Sequence, residues 1–207
     1  MNVTEPAAAL GGLLSIGILR ALSRRSIPMS AAQIVRSSDY GTAAGVRRAL
    51  QRLTTEGLVS AEQLGDLTMY SLNYDHVLYR AVEALLDARQ ELTRRLREEI
   101  RGWVQEPAFA GLYGSAARLD GDADSDVDLL LIRPHLRAPA KQRWIKQVHK
   151  LRKSVHEWTG NNADITDLTA AQLKSRTRHN AELADVWRND LVTLAGEAPN
   201  ELVIAAR

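Results

Sequence analysis

Two aspartates two positions apart, Asp126 and Asp128, open the most chemically informative stretch of this 207-residue chain. They sit in Asp124-Ser125-Asp126-Val127-Asp128 and run straight into Leu129-Leu130-Leu131-Ile132, an apolar run that reads as a buried strand. Residues two apart on a strand share a face, so the two carboxylates project side by side. Charges of one sign that close repel unless a cation sits between them. Carboxylate oxygens are hard ligands suited to Mg²⁺ or Mn²⁺, and a metal pair can clamp the attacking and leaving oxygens of a phosphoryl transfer. Gly114-Ser115 precedes Asp126 by a ten-residue gap. Gly114 permits close backbone approach, and the N–H groups of Ser115 and Ala116, opening a helix, would face a run of phosphates. The plainer alternative is an acidic surface loop, but carboxylates at the mouth of a buried strand need a partner. Asp120, Gly121 and Asp122 read as turn chemistry rather than ligands.

Gly114-Ser115-Ala116-Ala117-Arg118, ten residues of spacing and then Asp126-x-Asp128 resemble the signature of the DNA polymerase beta-like nucleotidyltransferase superfamily, nearest to its minimal nucleotidyltransferase (MNT) type. The pattern's closing glycine is Leu119 here, with Gly121 nearby, and the likeness spans roughly residues 85 to 200. It implies a mixed sheet flanked by helices, with Gly114, Ser115 and Arg118 on the nucleotide. It also implies a third acid on the strand beside the Asp-x-Asp strand. Asp164 fits that place, with Asp167 as the alternative, so Asp126, Asp128 and Asp164 would be the catalytic and metal-holding set. The implied cofactor is Mg²⁺ or Mn²⁺, and the implied substrate is a nucleoside triphosphate, ATP by expectation. The acceptor would be a protein or RNA hydroxyl, as when MNT antitoxins adenylylate a HEPN-type toxin; a small-molecule acceptor is less favoured.

The elements that must position these groups can be read around them. Ala108 to Tyr113 reads as a strand delivering the Gly-Ser turn, Ala138 to Trp158 as a basic amphipathic helix, and Asn162 to Leu168 as another strand. Asp185 to Gly196 reads as a closing helix and last strand. Val77, Leu78, Val82, Leu85, Leu86, Leu92, Leu96 and Ile100 form one apolar stripe, which predicts a single long helix over 76–103. Lys141, Arg143, Lys146, Lys150, Arg152 and Lys153 receive no catalytic role, since a charge run on a helix is usually its wet face. The histidines share no zinc-like spacing, and the four tryptophans read as core.

Residues 8 to 74 read as short helices followed by a hairpin. Ser30 and Thr42 are candidate N-caps, a loop through Asp39, Tyr40 and Gly41 lies between them, and Gly57 is a helix C-terminus. Leu58 to Glu62 and Leu67 to Leu72 flank a turn at Gly65-Asp66. This order resembles the winged helix-turn-helix of transcription regulators, with Leu50, Leu53, Gly57, Leu58 and Val59 closing the recognition helix. The resemblance places Arg47, Arg48, Gln51 and Arg52 toward DNA, as base-edge or phosphate contacts.

The expected organisation is therefore α+β, with a winged helix-turn-helix over 1–75, a connecting helix over 76–103 and a nucleotidyltransferase domain over 104–207. A net charge of +2 argues against gripping nucleic acid by bulk electrostatics. Residues 1–75 hold seven arginines against six acids, a weakly basic balance. No cysteine is present, which removes disulfide and thiol chemistry. The apolar run from Ala7 to Leu19 is broken by Gly11-Gly12 and Gly17 and lacks a basic leader, so it reads as a helix. A cytoplasmic protein with no membrane partner is expected, and a homodimer if a palindromic site is read. Two functions fit these residues. One is a metal-dependent nucleotidyltransferase carrying a DNA-binding module. The other is a DNA-binding regulator or antitoxin-like protein whose second domain senses nucleotide or binds a partner.

Overall fold

The computed structural model describes residues 12–24, 27–37, 41–118 and 125–202. Asp39, Tyr40, Leu119, the Asp120-Gly121-Asp122 turn, Asp124 and the start of the Ala7–Leu19 run lie outside the described residues. The fold mixes helices with two small sheets and divides into two compact units, residues 6–88 and 89–207.

The first unit runs α1 (Leu13–Ser23), β1 (Met29–Ser30), α2 (Ala31–Ser37), α3 (Ala43–Thr55), β2 (Val59–Leu64), β3 (Leu67–Leu72) and α4 (Tyr79–Leu86). Both expected caps form. The Ser30 hydroxyl accepts from the Gln33 N–H while Gln33 Oε1 accepts from the Ser30 N–H, and the Thr42 hydroxyl accepts from the Gly45 N–H at 3.1 Å. Gly65 takes a positive φ of 60° in the two-residue loop that sets Leu64 opposite Leu67. The sheet order is β1-β3-β2, antiparallel throughout. The short β1 was not legible, because two residues carry no periodicity. Ile18, Leu22, Met29, Ile34, Val46, Leu50, Leu53, Val59 and Leu72 close the core.

The expected single helix over 76–103 is two. The α4 helix ends at Asp87 (φ −90°, ψ −1°), and α5 (Ala88–Arg101) starts afresh. Val82 and Leu86 pack into the first unit's core, whereas Leu92, Leu96 and Ile100 belong to the second. Apolar spacing alone could not separate two stripes that face two different cores. Val77 and Leu78 stand exposed in the turn before α4. His76 has a structural role: its ring meets the Glu56 carbonyl and accepts from the Leu78 N–H.

The second unit continues with β4 (Phe109–Tyr113), α6 (Gly114–Arg118), β5 (Val127–Arg133), α7 (Ala140–Thr159), β6 (Ala163–Thr169), α8 (Ala170–His179), α9 (Ala181–Asp190), β7 (Val192–Gly196) and a 3₁₀ turn (Asn200–Leu202). Its sheet order is β6-β5-β4-β7, with β5 and β6 parallel across the α7 crossover and the other pairs antiparallel. Both faces are covered, which explains the continuous apolar run of β5. Leu129 and Leu131 pack with Leu96, Ile100, Trp144, Leu151 and Val155 on one face. Leu130 and Ile132 pack with Phe109, Tyr113, Leu168, Leu173 and Trp187 on the other. Trp103, Trp144 and Trp187 are buried, as core tryptophans should be. Among the described residues, no helix is long and apolar enough to cross a membrane.

Candidate active site

Alternation along β5 decides which side chains meet at the sheet's end. Asp128 shares its face with Leu130 and Ile132, and its cross-strand neighbours are Tyr113 on β4 and Asp164 on β6. Asp128 and Asp164 are thus side by side in register on parallel strands. Asp126 lies just before β5 and is exposed, while Asp128 is half-buried. Burial, then the charges of Asp164 and Asp126, push the Asp128 carboxyl up to about 6, with Arg118 acting against them. Asp126, Asp128, Asp164 and Arg118 are therefore electrostatic neighbours.

Gly114 supplies a second constraint. Its φ is +71°, and a Cβ built on it would overlap the Asp128 carboxylate. The turn is glycine because the backbone is left-handed and because the carboxylate occupies the side-chain space. Gly114→Ala is expected to cost roughly 1–3 kcal/mol, read by chemical denaturation, and to displace the Asp128 carboxylate. Ser115 is half-buried on the short α6, and Ala116 is buried.

Arg118 is partly committed within the fold, its Nη1 donating to Asp190 Oδ2 of α9 at 2.7 Å. Asp167, the alternative third acid, faces the other way. It accepts from the Trp144 indole N–H at 2.9 Å and pairs with Arg133 at 3.2 Å. Adjacent strand positions alternate faces, so Asp164 joins Asp128 while Asp167 locks α7 to the sheet.

Three contributors went unread in the sequence. The Tyr113 hydroxyl lies 3.2 Å from the Thr166 hydroxyl, on the face that carries Asp128 and Asp164. Burial raises the phenol's pKa, and both acids add to the rise. The buried Asn161 side chain donates to the Ser125 carbonyl at 2.9 Å, fixing the chain just before Asp126. Asp190 anchors Arg118. Asn161 follows the Gly160 that ends α7 in a left-handed conformation, φ 78°, so a helix C-terminus followed by Asn was the available signal.

The donor chemistry suits a hard divalent cation, since Asp128 and Asp164 stand side by side, Asp126 is near enough to act on the Asp128 carboxyl, and Gly114 leaves room against Asp128. Among the described residues, however, no three His, Asp or Glu side chains stand close enough together to hold a metal ion as they are.

In the first unit, Arg47, Arg48, Gln51 and Arg52 all lie on the exposed side of α3, opposite the buried Val46, Leu50 and Leu53. Arg52 is held back toward α1, its Nη2 donating to the Ser15 hydroxyl at 2.8 Å.

No family model matches this chain, and no curated protein does. Among solved structures, a similar chain comes from a crystal structure of a toxin-antitoxin with AMP-PNP. It is 15% identical with a TM-score of 0.36, and the match covers 53% of this chain and 77% of that one. At that score the likeness is too distant to define this chain's fold.

Proposed function

We propose that the second unit is a metal-dependent nucleotidyltransferase that moves a nucleoside monophosphate, AMP by expectation, from a triphosphate to a protein or RNA hydroxyl. The observation that carries this reading is the in-register pair Asp128 and Asp164, with Gly114 backing the Asp128 carboxylate. Asp126, Asp128 and Asp164 would hold Mg²⁺ or Mn²⁺, which supplies charge neutralisation for the phosphates. Gly114, Ser115 and Arg118 take the phosphates, with Asp190 aiming the guanidinium. The acceptor hydroxyl attacks the α-phosphorus in line, Asp164 takes its proton, and pyrophosphate leaves. Asn161 and Tyr113 hold the frame around the acids and touch no reacting atom. Such transfers are driven mainly by positioning and charge.

The first unit is proposed to be a winged helix-turn-helix that binds DNA, with α3 as the recognition helix and β2–β3 as the wing. Its support is the amphipathic split of α3 and the hairpin that follows. Arg47→Ala with Arg48→Ala is expected to weaken DNA binding by about 2–6 kcal/mol if both arginines read bases. An electrophoretic shift titration measures this, and unchanged affinity would remove α3 from the interface.

The decisive experiment incubates the full chain with each of the four α-labelled nucleoside triphosphates, Mg²⁺ or Mn²⁺ and cell extract. Label on a protein or RNA band supports transfer and identifies donor and acceptor class; no label from any nucleotide rejects it. One observation favours the second reading, a DNA-binding regulator or antitoxin-like protein that senses nucleotide without catalysis. The acids do not converge into a three-ligand group, and Arg118 is tied to Asp190. Nucleotide binding without label transfer, with DNA affinity altered by the nucleotide, would select that reading.

A further inference from the structure

From Arg133 to His156 the chain carries eight lysines and arginines, three histidines and no acid, in a protein whose overall charge is only +2. Most of this segment is α7. Trp144, Leu151 and Val155 bury its apolar face, so the charge is confined to the outer one. Three of the cations have acidic partners: Arg133 with Asp167, Lys150 with Glu99, and Lys153 with Glu157 at an exposed 3.5 Å. Arg137, Lys141, Arg143 and Lys146 are exposed and have no acidic partner among the described residues. At about 100° per residue, Arg143, Lys146 and Lys153 fall within an arc of about 80° over about 15 Å of helix. Two of these cations stand in the first half of α7, whose first turn holds no acid, so the helix dipole does not reward them. Fold stability does not account for this arrangement.

We propose that the outer face of α7 is a docking surface for the phosphate backbone of duplex DNA, separate from the carboxylate site and from α3. Charge complementarity supplies the attraction, and the surface chemistry selects the partner. Single-stranded RNA is held by stacking its bases on aromatic side chains. The exposed rings of α7 are imidazoles, His149 and His156, whereas Trp144 is buried and Trp158 is half-buried beneath the Arg95 guanidinium, so no large aromatic plane stands free on this face. A membrane surface needs an apolar face to insert, and here the apolar face is spent on the core, with Ile145 the large apolar side chain of α7 left outside. A duplex backbone asks only for a line of cations, and contacts of that kind position a protein without reading sequence.

The test is the salt dependence of binding a short mixed-sequence DNA duplex by the full chain, between about 50 and 200 mM salt. Each phosphate contact contributes about 0.9 to the slope of log K against log salt, so R143Q/K146Q/K153Q should lower it by about 2 to 3. The equal charge change on another helix, K174Q/R176Q/R178Q, should leave the slope unaltered. The charge-conserving R143K/K146R/K153R should retain the wild-type slope. A fall of less than one for the α7 variant, or an equal fall for the α8 variant, would overturn the proposal. So would loss in the charge-conserving variant, which would make the effect structural. A variant that keeps its DNA slope but loses binding to anionic lipid vesicles would assign the face to a membrane instead.

Discussion

Replacing both Asp126 and Asp128 by alanine is expected to lower nucleotidyl transfer by about 10³-fold or more, while DNA binding by the first unit stays unchanged. Removing one preorganised charge from such a site typically costs 10²–10³ in rate, and this change removes two of the three oxygen donors proposed for the metal. The loss should fall on kcat rather than on KM for the acceptor, because the carboxylates act where charge develops on the phosphates. Two features of the structure make the substitution clean. Asp126 is exposed, and Asp128 is half-buried at the end of β5, so neither supports the hydrophobic core. The measurement is transfer of α-labelled nucleotide by wild type and variant at equal concentration, with circular dichroism to verify folding. A variant that keeps more than a tenth of the wild-type rate would mean that the chemistry is done elsewhere.

Asp128→Asn alone is expected to stabilise the metal-free protein near neutral pH while abolishing transfer. The sign follows from the raised carboxyl. Held at about 6 in the fold against about 3.9 in an unfolded chain, Asp128 binds its proton more tightly when folded. Its contribution to stability is fully present below about pH 4 and is lost as pH rises through about 6. Above that, ionised Asp128 would weaken the fold by up to about 3 kcal/mol, which partial solvent access reduces to roughly 1–2 kcal/mol. Asparagine keeps the shape and omits the charge. Urea denaturation of both proteins at pH 4.5 and 7.5 gives the result directly: a gain for the variant at the higher pH that shrinks at the lower one. A variant no more stable at either pH would show that Asp128 is not under electrostatic strain. The same ionisation predicts that Mn²⁺ affinity rises with pH and levels off above about 6.

Site chemistry that lies close together along the chain could be read from order alone. Gly114, Ser115, Asp126 and Asp128 lie within fifteen residues, so the candidate groups could be named from order alone, although β5 begins at Val127 and strand alternation therefore fixes the face of Asp128 but not of Asp126. The caps at Ser30 and Thr42 and the turn at Gly65 were equally legible, because each is a local hydrogen-bond or φ requirement. The α7 helix followed from its apolar period, and three of the four tryptophans expected in the core are buried there, with Trp158 half-buried.

What tertiary structure alone decided involves register and partners distant in sequence. Asp164 and Asp167 are three apart on one strand, and only the parallel pairing of β6 with β5 sets Asp164 beside Asp128 and turns Asp167 to Trp144 and Arg133. Asp190 reaches Arg118 from 72 residues away, and Asn161 reaches Ser125 from 36. Neither spacing has a periodic signature. The stripe from Val77 to Ile100 was continuous in sequence, yet it divides at Asp87 because its two halves face different cores. Sequence thus determined which groups could do chemistry, since that depends on residue type and local geometry. The fold decided which of them meet, because pairing across a sheet is set by the burial of everything around it.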